Sequence, residues 1–118
     1  MSVLLDGLTL FSEVIPSGAT RYVPVPIRDG KLGALIAWKD ATSSATITLE
    51  LTSYDGLAPT VAGAAWEWVG SGVTITGPTA AAAAGSLVNV ENIRQRSARL
   101  KIVTAAISTI EIKDGTAP

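Results

Sequence analysis

Arg94, Arg96, Arg99 and Lys101 place four of the nine basic residues within eight positions, with no acid between Glu91 and Glu111. Fixed positive charge at that density can dock on an acidic partner surface. It can equally be the wet face of a strand, paired across a sheet with Glu50 or Glu111. The second group is aromatic. Trp66 and Trp68 stand two apart, so on a strand they share a face with Glu67 opposite. With Trp38 they could make a platform on which a sugar ring stacks. The competing reading puts all three in the core or in a subunit interface, where tryptophan is enriched. The third group is the carboxylates. Two of them can hydrolyse a glycoside, but the ten acids are scattered and no two form a motif. Glu50, Glu67 and Glu111 fall on outward strand positions, where a carboxylate serves solubility.

What is missing narrows the chemistry further. The chain has no histidine and no cysteine. That removes the serine–histidine triad, thiolate catalysis, disulfides and thiolate zinc sites. No glycine-rich phosphate loop and no calcium-loop spacing occurs. The expectation is a protein with no catalytic, cofactor-binding or metal-binding residues. Net charge is −1, so no global field attracts nucleic acid or an anionic membrane. No run approaches the roughly 20 apolar residues that span a bilayer. The N-terminus lacks the basic segment and long apolar run of a signal peptide, so synthesis in the cytosol is expected.

The elements that must position these groups read as strands. Charged residues make up only 16% of the 118, against about 25% usually, and threonine, serine and glycine supply the polarity. That composition favours strands and leaves few charges to resist association. From Ser97 to Asp114 two runs alternate: Leu100 and Ile102 oppose Arg99 and Lys101, then Ile110 and Ile112 oppose Glu111 and Lys113. Each is a strand with one buried face, and their closeness predicts an antiparallel hairpin. Ala105–Ala106 lacks the residues of a tight primed turn.

Upstream, Val3 to Ile15 predicts one or two short strands. Ala19 to Ile27 carries Tyr22, Pro24 and Pro26, and each proline lacks a backbone donor. This is a blunted edge strand or an extended arm across a neighbouring subunit. Residues 1–15 are a second candidate arm. Arg28-Asp29-Gly30-Lys31 is a turn. Leu32 to Lys39 is apolar on both faces and should be central. Ala45 to Ser53 alternates most cleanly, with Ile47, Leu49 and Leu51 on one side. A long loop follows through residues 54–63. Ala65 to Gly70 and Val73 to Thr76 read as two short strands. The five alanines at 80–84 suit one helical turn or a small-residue loop. Leu87 to Val90 is extended.

Roughly eight short strands with no long helix predict a single all-β domain over residues 1–118. The expected fold is an antiparallel, jelly-roll-like sandwich. The stretch Thr46-Ile47-Thr48-Leu49-Glu50-Leu51-Thr52-Ser53-Tyr54-Asp55-Gly56, then Trp66-Glu67-Trp68-Val69 and Ser97-Ala98-Arg99-Leu100-Lys101-Ile102, resembles small β-sandwich virion proteins of tailed bacteriophages. The resemblance lies in texture and strand order over most of the chain. It implies a homo-oligomer, often a trimer, that contacts a shell or tube protein in the virion, and it carries over no catalytic residue. The leading expectation is a capsid decoration or cement protein partnered with a major capsid protein. A tail or fibre component and a carbohydrate-binding module built on Trp38, Trp66 and Trp68 are the alternatives. Tyr22, Pro24, Pro26, Arg94 and Arg96, with the N-terminal segment, are the expected partner contacts.

Overall fold

The computed structural model describes residues 8–40, 42–77 and 84–115. They form eight strands and no helix. In chain order these are β1 (Thr9–Ile15), β2 (Thr20–Val25), β3 (Leu32–Trp38), β4 (Ser44–Thr52), β5 (Val69–Thr76), β6 (Ala84–Val90), β7 (Ser97–Ala106) and β8 (Ser108–Asp114). Two four-stranded sheets result, ordered β1-β8-β3-β6 and β2-β7-β4-β5, and every pairing is antiparallel. The expected all-β sandwich is present, and this strand order is that of a jelly roll.

Alternation builds the core. Val23, Ile47, Leu49, Leu100 and Ile102 point inward from one sheet, and Leu32, Ile36, Trp38, Ile110 and Ile112 from the other, all essentially without exposure. Each such side chain stabilises the fold by about 1.5–3 kcal/mol through its burial. β3 is central, between β8 and β6, as its two apolar faces predict. β4 keeps Ile47, Leu49 and Leu51 on the core side. The Arg28–Lys31 turn closes with reciprocal backbone bonds, Asp29 and Gly30 both having φ above +50° (54° and 72°). That is the primed geometry an Asp-Gly pair favours.

Four expectations need correction. Ser97–Ala106 and Ser108–Asp114 are not a hairpin: β7 pairs with β2 and β4, while β8 pairs with β1 and β3. The chain turns a corner at Ile107 from one sheet to the other. Alternation reports which face is buried, and two strands on opposite walls of one core alternate as hairpin strands do. Residues 65–67 are a turn rather than part of a strand, and the two strands expected over 65–76 are one, β5. Of the two readings of Ala19 to Ile27 the edge strand is the one present, and the described part of the candidate arm over residues 1–15 is an edge strand as well. Ile15 of β1 and Val23 and Val25 of β2 are buried, so neither strand leaves the domain. The outward glutamates are not free solvating charges: Glu50 pairs with Arg99, Glu111 with Lys39, and Glu67 accepts from the Ala64 amide. The N-terminal segment 1–7 and the alanines at 80–83 lie outside the described residues, and Ala84 opens β6.

The corner after β7 is held by buried hydroxyls. Thr104 Oγ1 donates to Pro16 O at 2.6 Å and accepts from Ala19 N at 3.0 Å. Ser108 Oγ accepts from Ser44 N and donates to Ala106 O, both at 2.9 Å. No buried side-chain nitrogen or oxygen among the described residues lacks a partner, as stable interiors require.

Candidate functional site

The outer face of β2-β7-β4-β5 is where the chain departs from a plain sandwich. Cross-strand register puts Pro24, Arg99, Glu50 and Gly70 in one row across this face. Period-two alternation aims Arg99 at solvent, yet only 1% of the residue is exposed. The loop between β4 and β5 folds down over it. Arg99 Nε donates to Glu50 Oε1 at 2.8 Å. Its Nη1 donates to the carbonyls of Pro59 at 3.0 Å and Val61 at 2.6 Å, and its Nη2 to that of Ala62 at 3.0 Å. The guanidinium carbon lies over two rings, 4.0 Å from the Tyr22 centroid and 4.4 Å from that of Trp68. Arginine suits the place because its planar fork bonds several acceptors at once while its faces stack on aromatics. The charge is thereby paired, hydrogen-bonded and covered by two aromatic rings, which compensates a buried cation for its lost water.

This clamp fixes two surface features. The first is an aromatic corner. Tyr54 and Trp66 meet edge-to-face, centroids 5.3 Å apart and planes at 67°. They are 52% and 63% exposed. They line a cavity of about 460 Å³ with Ser53, Glu67, Ser71 and Gln95. An apolar ring surface beside hydroxyl and amide groups can stack on a sugar and bond its hydroxyls. The second is a groove of about 550 Å³ along β2 and the segment after it, lined by Leu10, Pro24, Pro26, Leu57, Trp68 and Arg96 among others. It is chiefly apolar, with Arg28 and Arg96 contributing charge.

The expected site residues thus divide. Pro24, Pro26 and Arg96 come together in the groove. Tyr22 stacks on Arg99 beneath the loop, and Arg94 is exposed outside the groove lining. The tryptophan platform does not form. Trp38 is in the core at 1% exposure, its Nε1 donating to Ser86 Oγ at 3.1 Å. Trp68 is 5% exposed against Arg99, and Trp66 alone of the three faces solvent. The two-residue spacing loses its meaning because residues 65–67 turn. The four-residue basic cluster also splits: Arg99 is buried with Glu50, whereas Arg96 is exposed, 3.8 Å from Asp55. Sequence reasoning missed Tyr54 and Gln95 as neighbours of Trp66, and missed the burial of Arg99. Its one legible signal was the pairing of Arg99 with Glu50 across the sheet.

Among the described residues no three acidic side chains converge to hold a metal ion. Compared with protein-family models and with curated protein sequences, the chain finds no match.

Proposed function

We propose that this chain is a structural virion protein, a decoration or cement protein that stabilises a phage head by bridging shell subunits. The observation that carries the reading is the groove beside β2. It is a chiefly apolar strip beside Pro24 and Pro26, lined also by Arg28 and Arg96. A chiefly apolar surface that carries arginine is what protein interfaces favour. Among the described residues ten large apolar or aromatic side chains are exposed, Leu8 of the groove lining, Val14, Leu35 and Val103 among them. The jelly-roll order adds support by analogy only, since viral coat proteins share it with lectins and cupins. Stabilisation of the shell is then mass action: each copy that binds the assembled shell and not its free subunits lowers the free energy of the assembled state.

The test is direct. Virions purified from infected cells should contain the chain at a fixed ratio to the major capsid protein. Heads lacking it should lose DNA at lower temperature, and adding purified protein should restore heat resistance. Pro24→Glu with Arg96→Glu should abolish that restoration. Virions that contain none of it and lose no heat resistance refute the reading, while labelling on the tail alone shifts it to a tail or fibre component.

A carbohydrate-binding role is the second reading, favoured by one feature: the exposed Tyr54–Trp66 corner with Gln95, Ser53 and Ser71 around it. It replaces the three-tryptophan platform. Glycan-array binding lost in Trp66→Ala would support it, and no binding at millimolar sugar would remove it.

A further inference from the structure

An edge strand presents a row of unpaired N–H and C=O groups that another strand can join, and soluble proteins blunt such edges. This sandwich has four: β1 and β6 in one sheet, β2 and β5 in the other. Three carry a blunting device. β1 breaks register between Thr9 and Phe11 and bears Glu13, paired with Arg21 at 2.8 Å. β2 contains Pro24, which has no donor. β5 breaks register against β4 between Thr48 and Glu50, with Gly72 at φ 91°. Bulges of this kind bend an edge away from a neighbour.

β6 carries no such device. It pairs with β3 residue for residue from Ala84 to Val90 without a shift, and it holds no charge and no proline. Among the described residues it pairs on its β3 side alone. At its middle stands Leu87, 71% exposed and the most exposed large apolar side chain described. Leu35 lies directly opposite on β3, also exposed. The next outward pairs, Gly33–Asn89 and Ala37–Gly85, are small or neutral.

We propose that β6 is the edge through which two copies of this chain pair, antiparallel about a two-fold axis through Leu87, joining two four-stranded sheets into one continuous sheet. A second copy is the occupant that fits. The strand is seven residues long with Leu87 at its centre, so a two-fold there matches every backbone group with its counterpart. Gly85 then lies opposite Asn89 of the second copy. No like charges meet across the axis, where they would repel. Leu87 lies beside Leu87 of the second copy with a Leu35 flanking each, so a strip of four leucines covers the joint. The pairing goes beyond the virion reading and stands or falls without it.

Sedimentation equilibrium of the full chain should give twice the 12.1 kDa of one copy. Leu87→Lys places two ammonium groups at the axis and should return the mass to one copy, with an unchanged circular-dichroism spectrum. Val14→Lys, at an exposed position on distant β1, should remain paired. Cysteine substitution fixes the register, because the chain has no cysteine of its own. Oxidised Leu87→Cys should run as a covalent pair. Asn89→Cys should not, since its two copies would lie about 14 Å apart along the strands, beyond the reach of a disulfide. A wild-type monomer at every concentration overturns the proposal. So does a dimer that survives Leu87→Lys, or cross-linking as ready at Asn89→Cys as at Leu87→Cys. If Leu87→Lys does not fold, the cysteine pattern decides.

Discussion

Arg99 loses nearly all its water, and the replacement is three carbonyls and the Trp68 ring from the loop over it, the Glu50 carboxylate of β4 and the Tyr22 ring of β2. Removing one partner of such a pair leaves the other charge uncompensated, at a cost of about 3–5 kcal/mol. Arg99→Met should fall near 3 kcal/mol in urea unfolding, because Glu50 keeps some access to water (13% of its side chain). The double change Arg99→Met with Glu50→Leu should recover part of the loss, as no charge then remains. Equal losses in the single and double variants would contradict the pairing. Gly77 makes a second prediction. A methyl there would meet the Trp38 ring at 2.6 Å, whereas one at Gly70 meets only Thr48 Cγ2 at 3.8 Å. Gly77→Ala should destabilise by about 1–3 kcal/mol, the usual effect of overpacking a core, and Gly70→Ala should cost far less. A third concerns light. Trp38 and Trp68 are buried and Trp66 is not, so acrylamide should quench one tryptophan population strongly. Trp66→Phe should remove that population and leave stability almost unchanged.

At the scale of elements, the edge strands divide the labour. Pro24 and Pro26 remove donors along β2 and its continuation while their rings line the groove. Replacing both with threonine should therefore open a new pairing edge. Light scattering should report species larger than the wild-type assembly in the Pro24→Thr/Pro26→Thr protein, growing with concentration. Unchanged scattering would mean that the prolines serve the groove alone. Element identity was legible where the period was long and clean, as in β4 and β7. It was misleading at Ala65–Gly70, where Trp-Glu-Trp mimics alternation over too few residues to outweigh a turn closed by Glu67 N donating to Ala64 O at 3.0 Å.

For the molecule as a whole, only β4 and β5 are both adjacent in the chain and paired in a sheet. Every other pairing joins strands distant in sequence, β1 with β8 and β2 with β7 at the extreme. Loop closure must come before those contacts form, so folding should take milliseconds to seconds. Stopped-flow fluorescence of Trp38, whose ring is buried only in the assembled sandwich, should report that range. A microsecond phase that completes its burial would argue against this topology.

Residue types and their period determined on their own that this is an all-β chain with Leu100, Ile102, Ile110 and Ile112 in its core. They also determined that it lacks the histidine and cysteine on which most side-chain catalysis depends. Those properties are local: alternation is written within six or seven residues, and a missing residue type is missing in any fold. Tertiary structure alone decided that β7 and β8 stand in opposite walls, that an arginine at an outward position is buried, and that Tyr54, not Trp68, stands beside Trp66. Each depends on which segment folds over which face. That outcome is set by contacts between residues tens of positions apart, and no local pattern records it.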